Sequence, residues 1–277
     1  MFNIRDISAD TTVNGGDGSD TVNVGSNSLG TPGAPSSNSG GNVNAINGKL
    51  TVYGNGSDTG TGDVLNIDDT GDESVNTGAL TSTGITGLGM AGSITYGTLE
   101  ELNVSLGSGG DSFTVSNTHG SATGGFEETT TLRSGGGNDI VTIDDVTDRL
   151  TVYGEEDSDT ITVNGNSLGS NTILYGDGGS DVFNIRDISA DTTVNGGDGS
   201  DTVNVGSNSL GTPGAPSSNS GGNVNAINGK LTVYGNGSDT GTGDVLNIDE
   251  TGETLTNTGY HTGTRIWALV CQGVVNR

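Results

Sequence analysis

The 277-residue chain is short of almost everything a thick globular core needs. Aromatic residues make up 4% and hydrophobic residues 29%, too few large apolar side chains to fill a wide interior. Basic residues are also scarce: 8 against 34 acids leave a formal net charge of −26. Such a surface repels nucleic acid and anionic membrane and attracts cations. No apolar run approaches the ~18 residues of a membrane span. The opening "MFNIRDISAD" lacks the basic stretch and apolar run of a secretory signal. One cysteine, Cys271, excludes an internal disulfide framework. Low hydrophobicity with high net charge is the composition of disordered chains. Here, however, the apolar residues gather in short β-branched runs such as "LTVYG", "DTITV", "DVFNI" and "DTVNV", the mark of a thin, repetitive core.

What the chain has in plenty is glycine, 52 residues, and repetition. Residues Phe2–Asp68 recur letter for letter as Phe183–Asp249. A shorter period lies inside. Aspartates that open a strand stand at Asp139, Asp159, Asp181 and Asp201, spaced 20, 22 and 20, with strands at Leu150–Tyr153, Thr172–Tyr175 and Thr192–Val194 between them. One unit reads strand, Gly/Asp turn, strand, second turn. The fold class expected is all-β: a parallel β-roll or β-solenoid with about 20-residue coils of two short strands, stacked at ~4.8 Å. Period-2 alternation makes Val182 and Ile185 compete for the inward face, so the register stays open. Abundant glycine and the lack of a 3.6-residue period argue against helix.

The organisation follows from the repeats. Residues 1–78 form a first repeat unit and 182–259 its second copy. The Pro/Ser/Gly/Asn-rich stretches 25–49 and 206–230 read as surface insertions at a second turn, because "NGNSLGSN" (164–171) keeps their Asn-Ser-Leu-Gly core without the extra residues. Residues 79–181 hold further coils, with an irregular segment at 79–98 that is a larger coil or a junction between two stacks. The tail 260–277 departs from the repeat, holds the only Trp and Cys, and reads as a frameshifted continuation of it.

The turns carry the chemistry. Calcium takes six to eight oxygen ligands from carboxylates and backbone carbonyls. The nonapeptide G-G-x-G-x-D-x-U-x, with U apolar, supplies such oxygens, and "GGDGSDTVN" at 15–23 and 196–204 matches every fixed position. On these residues the chain resembles the RTX, or hemolysin-type calcium-binding repeat, family found in very large secreted bacterial proteins. The resemblance implies calcium between stacked turns, held by Asp17 and Asp20 in the first copy and by Asp198 and Asp201 in the second. Partial matches extend it to Asp111 in "LGSGGDSFT", Asp139 in "SGGGNDIVT", Asp157 and Asp159 in "GEEDSDTIT", and Asp177 and Asp181 in "GDGGSDVFN". The family repeats its motif every nine residues and places turns on both edges. Here the motif returns about every 20, so one row of sites on one edge is expected. Aspartates ~5 Å apart in such a row repel by roughly 3 kcal/mol per pair at an effective dielectric near 20, which favours a bridging cation. The alternative is that each is a turn residue capping a strand start, its carboxylate turned to water.

Other chemistry is thinner. His119 and His261 are isolated and read as solvated loop histidines. The acid pairs Asp144/Asp145 and Glu127/Glu128 are the only hint of a glycan-cleaving site, and they read as charge on a solvated strand edge. The expectation is therefore a calcium-binding structural or adhesive repeat segment of a large secreted or cell-surface bacterial protein, without catalysis. Its expected partners are calcium, cell-surface or matrix components and further copies end to end, with no nucleic acid and no membrane span. A metal-independent β-solenoid stalk or filament subunit is the second reading, and a polysaccharide-acting β-helix enzyme the third.

Overall fold

The computed structural model describes residues 1–28, 39–55, 62–120, 127–211, 213, 220–237, 243–253, 260–262 and 265–267, the last two segments by backbone only. Within them the chain is all-β, and no helix is long and apolar enough to cross a membrane. Two mostly parallel sheets of 9 and 11 strands make up the fold, an arrangement consistent with a β-solenoid or roll.

The first sheet runs β1 (Phe2–Ile4), β3 (Thr21–Val24), β5 (Val64–Asp68), β9 (Glu101–Ser105), β11 (Thr129–Arg133), β13 (Arg149–Tyr153), β15 (Asn171–Gly178), β17 (Asp191–Asp198), β19 (Leu231–Tyr234). The second begins with β2 (Thr11–Asn14), β4 (Lys49–Tyr53), β8 (Ser93–Gly97), β7 (Gly84–Gly87) and β6 (Thr77–Thr81). It continues with β10 (Ser112–Val115), β12 (Ile140–Ile143), β14 (Thr160–Val163), β16 (Val182–Ile185), β18 (Thr202–Val205) and β20 (Val245–Ile248). A separate antiparallel pair, β21 (Tyr260–Thr262) and β22 (Arg265–Trp267), lies in the atypical tail; the rest of that tail, 263–264 and 268–277, is outside the described residues.

Outside β6–β8 chain order alternates between the sheets, and from β12 to β18 neighbours within a sheet keep the spacing read from the aspartates: Thr160 pairs Val182, which pairs Thr202. Elsewhere the step is longer, as from Ser112 to Ile140 or from Thr202 to Val245. The pairing settles the register. Phe183 sits between Ile161 and Val203, and Ile185 between Val163 and Val205, all buried in one continuous core. Val182 is on the other face and is nonetheless buried. The core is one apolar layer between the sheets, which is how so few hydrophobic residues suffice.

Segment 79–98 is a meander within the second sheet. Strand β7 runs antiparallel to both β6 and β8, whereas β6 and β8 pair parallel with their outer neighbours β10 and β4. Tyr96 on β8 is buried there, and its hydroxyl donates to the Thr81 carbonyl at 2.6 Å. Tyr96→Phe is expected to cost about 1 kcal/mol, the worth of one such bond. A urea midpoint that moves down with an unchanged slope checks it.

The stretches 25–49 and 206–230 are not merely surface insertions. Val43 and Ile46 are fully buried, and Ile46 bridges Ile7; in the second copy Ile227 bridges Ile188 in the same way. Acids at the C-terminal ends of β5 and of its copy β20 fasten them down. Gly41 N–H donates to Asp68 Oδ2 (2.9 Å) and Val43 N–H to Asp69 Oδ1 (3.0 Å), and Asp249 and Glu250 do the same for Gly222 and Val224. The Pro-rich parts, 29–38, 212 and 214–219, lie outside the described residues.

Candidate functional site: two rows of clipped acids

A strand entering a parallel sheet leaves the N–H just before its first ladder bond without a backbone acceptor, and buried N–H groups need one. In this chain the aspartate of the neighbouring turn supplies it. Asp139 N–H donates to Asp159 Oδ1 (2.8 Å), and Thr160 N–H donates back to the Asp139 carbonyl (2.8 Å). This two-bond clip also joins Asp111 to Asp139, Asp159 to Asp181, Asp181 to Asp201 and Asp201 to Asp244, with side-chain bonds of 2.6, 2.8, 2.9 and 3.0 Å. Asn76 N–H starts the row on Asp111 Oδ1 at 2.7 Å. A second, shorter row links Asp20 to Asp63 (2.7 Å) and Asp63 to Glu100.

The first glycine of the motif exists for these carboxylates. A Cβ on Gly154 would lie 2.5 Å from Asp159 Oδ2 and 2.6 Å from the Gly176 carbonyl oxygen. The same crowding holds at Gly15, Gly54, Gly176 and Gly196. The second and fourth places need left-handed backbone, as at Gly16 (φ 99°) and Gly18 (φ 96°). In the 154–159 turn the same conformations are held by Glu155 (φ 72°) and Asp157 (φ 71°).

The ten aspartates expected as one ligand set divide in two. Asp111, Asp139, Asp159, Asp181 and Asp201 are buried in the long row, and Asp20, half-buried, stands in the short one. Asp17, Asp157, Asp177 and Asp198 are exposed at the turn tips, and Asp157 Oδ2 accepts the Gly137 N–H (3.0 Å). The expectation of one edge also needs correction. Asp20 lies where the chain passes from the second sheet to the first, between β2 and β3. Its exact copy Asp201 lies where the chain passes from the first to the second, between β17 and β18. The rows change edge because the turns ending in Glu100 and Asp111 follow each other with only β9 between.

Burial sets the electrostatics. It pushes Asp139 and Asp181 up to about 7 and Asp159 up to about 8, and neighbouring acids add to each shift. Asp111 is raised for the same first reason. Oδ2 of Asp159 and of Asp181 is buried without a hydrogen-bond partner. So is Oδ2 of Asp139, since the hydroxyl of nearby Ser134 donates to the Tyr153 and Gly154 carbonyls.

Several polar residues have roles not foreseen. His119 is buried, not solvated: Nδ1 lies 3.0 Å from Thr130 Oγ1, its ring stands edge-on to Tyr96, and burial lowers its pKa. Thr130, Thr172 and Thr192 point into the core, where Asn166 donates to the last two and its Oδ1 accepts the Ser189 and Ala190 N–H groups. An asparagine ladder, Asn3–Asn23–Asn66–Asn103, runs along the first sheet at 2.9 Å per step. Its signal was the Asn at the same place in "TVNV", "VLNI" and "LNV". Of the paired acids, Glu127 is exposed and joined to Arg149 (2.9 Å), whereas Glu128 is buried and raised to about 7. Asp144 is exposed and Asp145 accepts the Ser167 hydroxyl. The side chain of His261 lies outside the described residues.

As a calcium site the buried row is incomplete. Its oxygens are the right donors, but Oδ1 of each clipped aspartate already accepts an N–H. Among the described residues no three acidic or histidine side chains converge so as to hold a metal ion. Calcium asks for six to eight oxygens, so carbonyls would have to supply nearly all of them.

The fold and the rows define an acidic, all-β repeat protein in which turn aspartates bind the neighbouring turn's backbone. Comparison of the chain with family models, curated proteins and solved structures returns no match.

Proposed function

We propose that the chain is a segment of a parallel β-solenoid with about 20-residue coils of two short strands. It acts as a metal-independent, non-catalytic stalk or adhesive repeat of a large secreted or cell-surface bacterial protein. The observation that supports this is the long row. The carboxylates that stand out in the sequence bond the backbone of the adjacent turn, an arrangement that stabilises a stack without any ligand. The net charge of −26 keeps such a rod soluble and apart from nucleic acid and anionic membrane. Further copies of the chain are proposed as end-to-end partners. Cell-surface or matrix components are the partners proposed for the flanks.

A calcium-rigidified rod is the second reading, favoured by the exposed tip carboxylates of Asp17, Asp177 and Asp198. Thermal melting with far-UV circular dichroism separates the two. The chain is expected to melt cooperatively in EDTA, with millimolar calcium moving the midpoint by no more than about 2 °C, the effect of under 1 kcal/mol. β structure that forms only with calcium, or a midpoint rise on the order of 10 °C, would establish the second reading instead.

A further inference from the structure

The long row sets an unusual problem. Asp139, Asp159 and Asp181 are almost completely buried, one turn above another, each with one oxygen on a backbone N–H and the other unpartnered. The charges acting on them are all acids. Asp111 and Asp157 act on Asp139; Asp139, Asp181 and Asp157 on Asp159; Asp201 and Asp177 on Asp181. A stack of buried carboxylates without a cation is unstable if every member is ionised, because an unpaired buried charge is costly and adjacent ones repel. A neutral acid has neither defect, and its carbonyl-type Oδ1 still accepts the N–H.

We propose that the long row is a proton-binding lock, in which Asp139, Asp159 and Asp181 hold adjacent turns together as neutral acids and release them when ionised. The inference rests on the metal-independent reading and adds a condition to it: the rod is tightest in acid and loosens from this edge in alkali. The direction follows from linkage. Unfolded aspartates ionise near pH 4, whereas burial holds these three protonated to about 7–8. Their contribution is complete below the unfolded value and is lost as the pH rises through the folded values. Nearby acids couple the three, so the loss spreads over more than one pH unit.

Asparagine is the test residue, because it copies the shape of a neutral acid and cannot ionise. In EDTA, the unmodified chain is expected to lose on the order of 10 °C in melting midpoint as the pH rises from 5 to the folded values, with little further change by pH 9. Asp159→Asn and Asp139→Asn should each fold at pH 5 and lose roughly a third less midpoint by pH 9 than the unmodified chain, because one of the three titrating groups is gone. Asp17→Asn, at an exposed tip, should leave the pH dependence as it was. A cooperative melt in EDTA that is flat, or rises, over this range overturns the lock but leaves the metal-independent rod standing. Failure of both buried Asn variants to fold at pH 5 also overturns it. Absence of any cooperative melt in EDTA sinks the metal-independent reading itself, and the lock with it.

Discussion

Phe183→Ala is expected to cost about 3–5 kcal/mol, the usual loss for emptying a buried phenylalanine site, and Phe2→Ala under about 1. The two residues belong to identical sequence, so propensity and unfolded-state effects cancel between them. They differ in what the fold places beside them. Phe183 is 0% exposed, between Ile161 below and Val203 above, while Phe2 is 36% exposed and pairs on one side with Val22. Sheet neighbours one strand spacing away cannot close over the missing ring without breaking ladder bonds, so the cavity persists. Urea denaturation of both variants gives the comparison directly. Equal costs would mean that Phe183 and Phe2 share an environment, and would refute the pairing of β16 between β14 and β18.

How much of this was legible beforehand depends on which residues carry the information. The stacking period was legible between Asp139 and Asp201, where an aspartate precedes each β-branched run and the parallel register reproduces that spacing. Phe183 and Ile185 follow from alternation once a neighbour such as Ile161 is placed beside them. The change of edge was written in the short step from Glu100 to Asp111, yet Glu100 stands in "GTLEELNV", which has lost the motif's glycines. Burial of Val43 and Ile46 was masked by the polar residues around them, since much of what holds that stretch is bonding to distant residues such as Asp68, Asp69 and Asp72.

The candidate site was legible as positions and not as chemistry. The motif marks Asp139, Asp159 and Asp181 correctly as the acids at each turn, but an aspartate that ligates an ion and one that accepts a neighbour's N–H have the same sequence. What separates them is where Oδ1 and Oδ2 point, and that depends on the turn one unit away. The same limit applies to His119, whose partners Thr130 and Tyr96 lie on two different sheets.

The glycine that opens each motif gives the sharpest test of the clip. Gly176→Ala is expected to destabilise the chain by about 3 kcal/mol or more, from overpacking together with a weakened buried hydrogen bond. Its φ is not in the left-handed region, so backbone strain contributes nothing. The added methyl would meet Asp181 Oδ2 and the Gly196 carbonyl oxygen. Neither can retreat cheaply, because Asp181 Oδ1 is held by the Asp159 N–H and Gly196 sits within paired β17. Two residues on, Gly178→Ala is the control. Its Cβ would meet only the Glu155 carbonyl, at 3.4 Å, so it should be neutral or stabilising by about 0.5 kcal/mol. Pairing Gly176→Ala with Asp181→Ala removes the obstacle as well as the clip, so the double variant should cost clearly less than the two singles added. Additive costs would show that Gly176 is small for some reason other than the carboxylate, and the acid row would then be a neighbour of the glycines and not their cause.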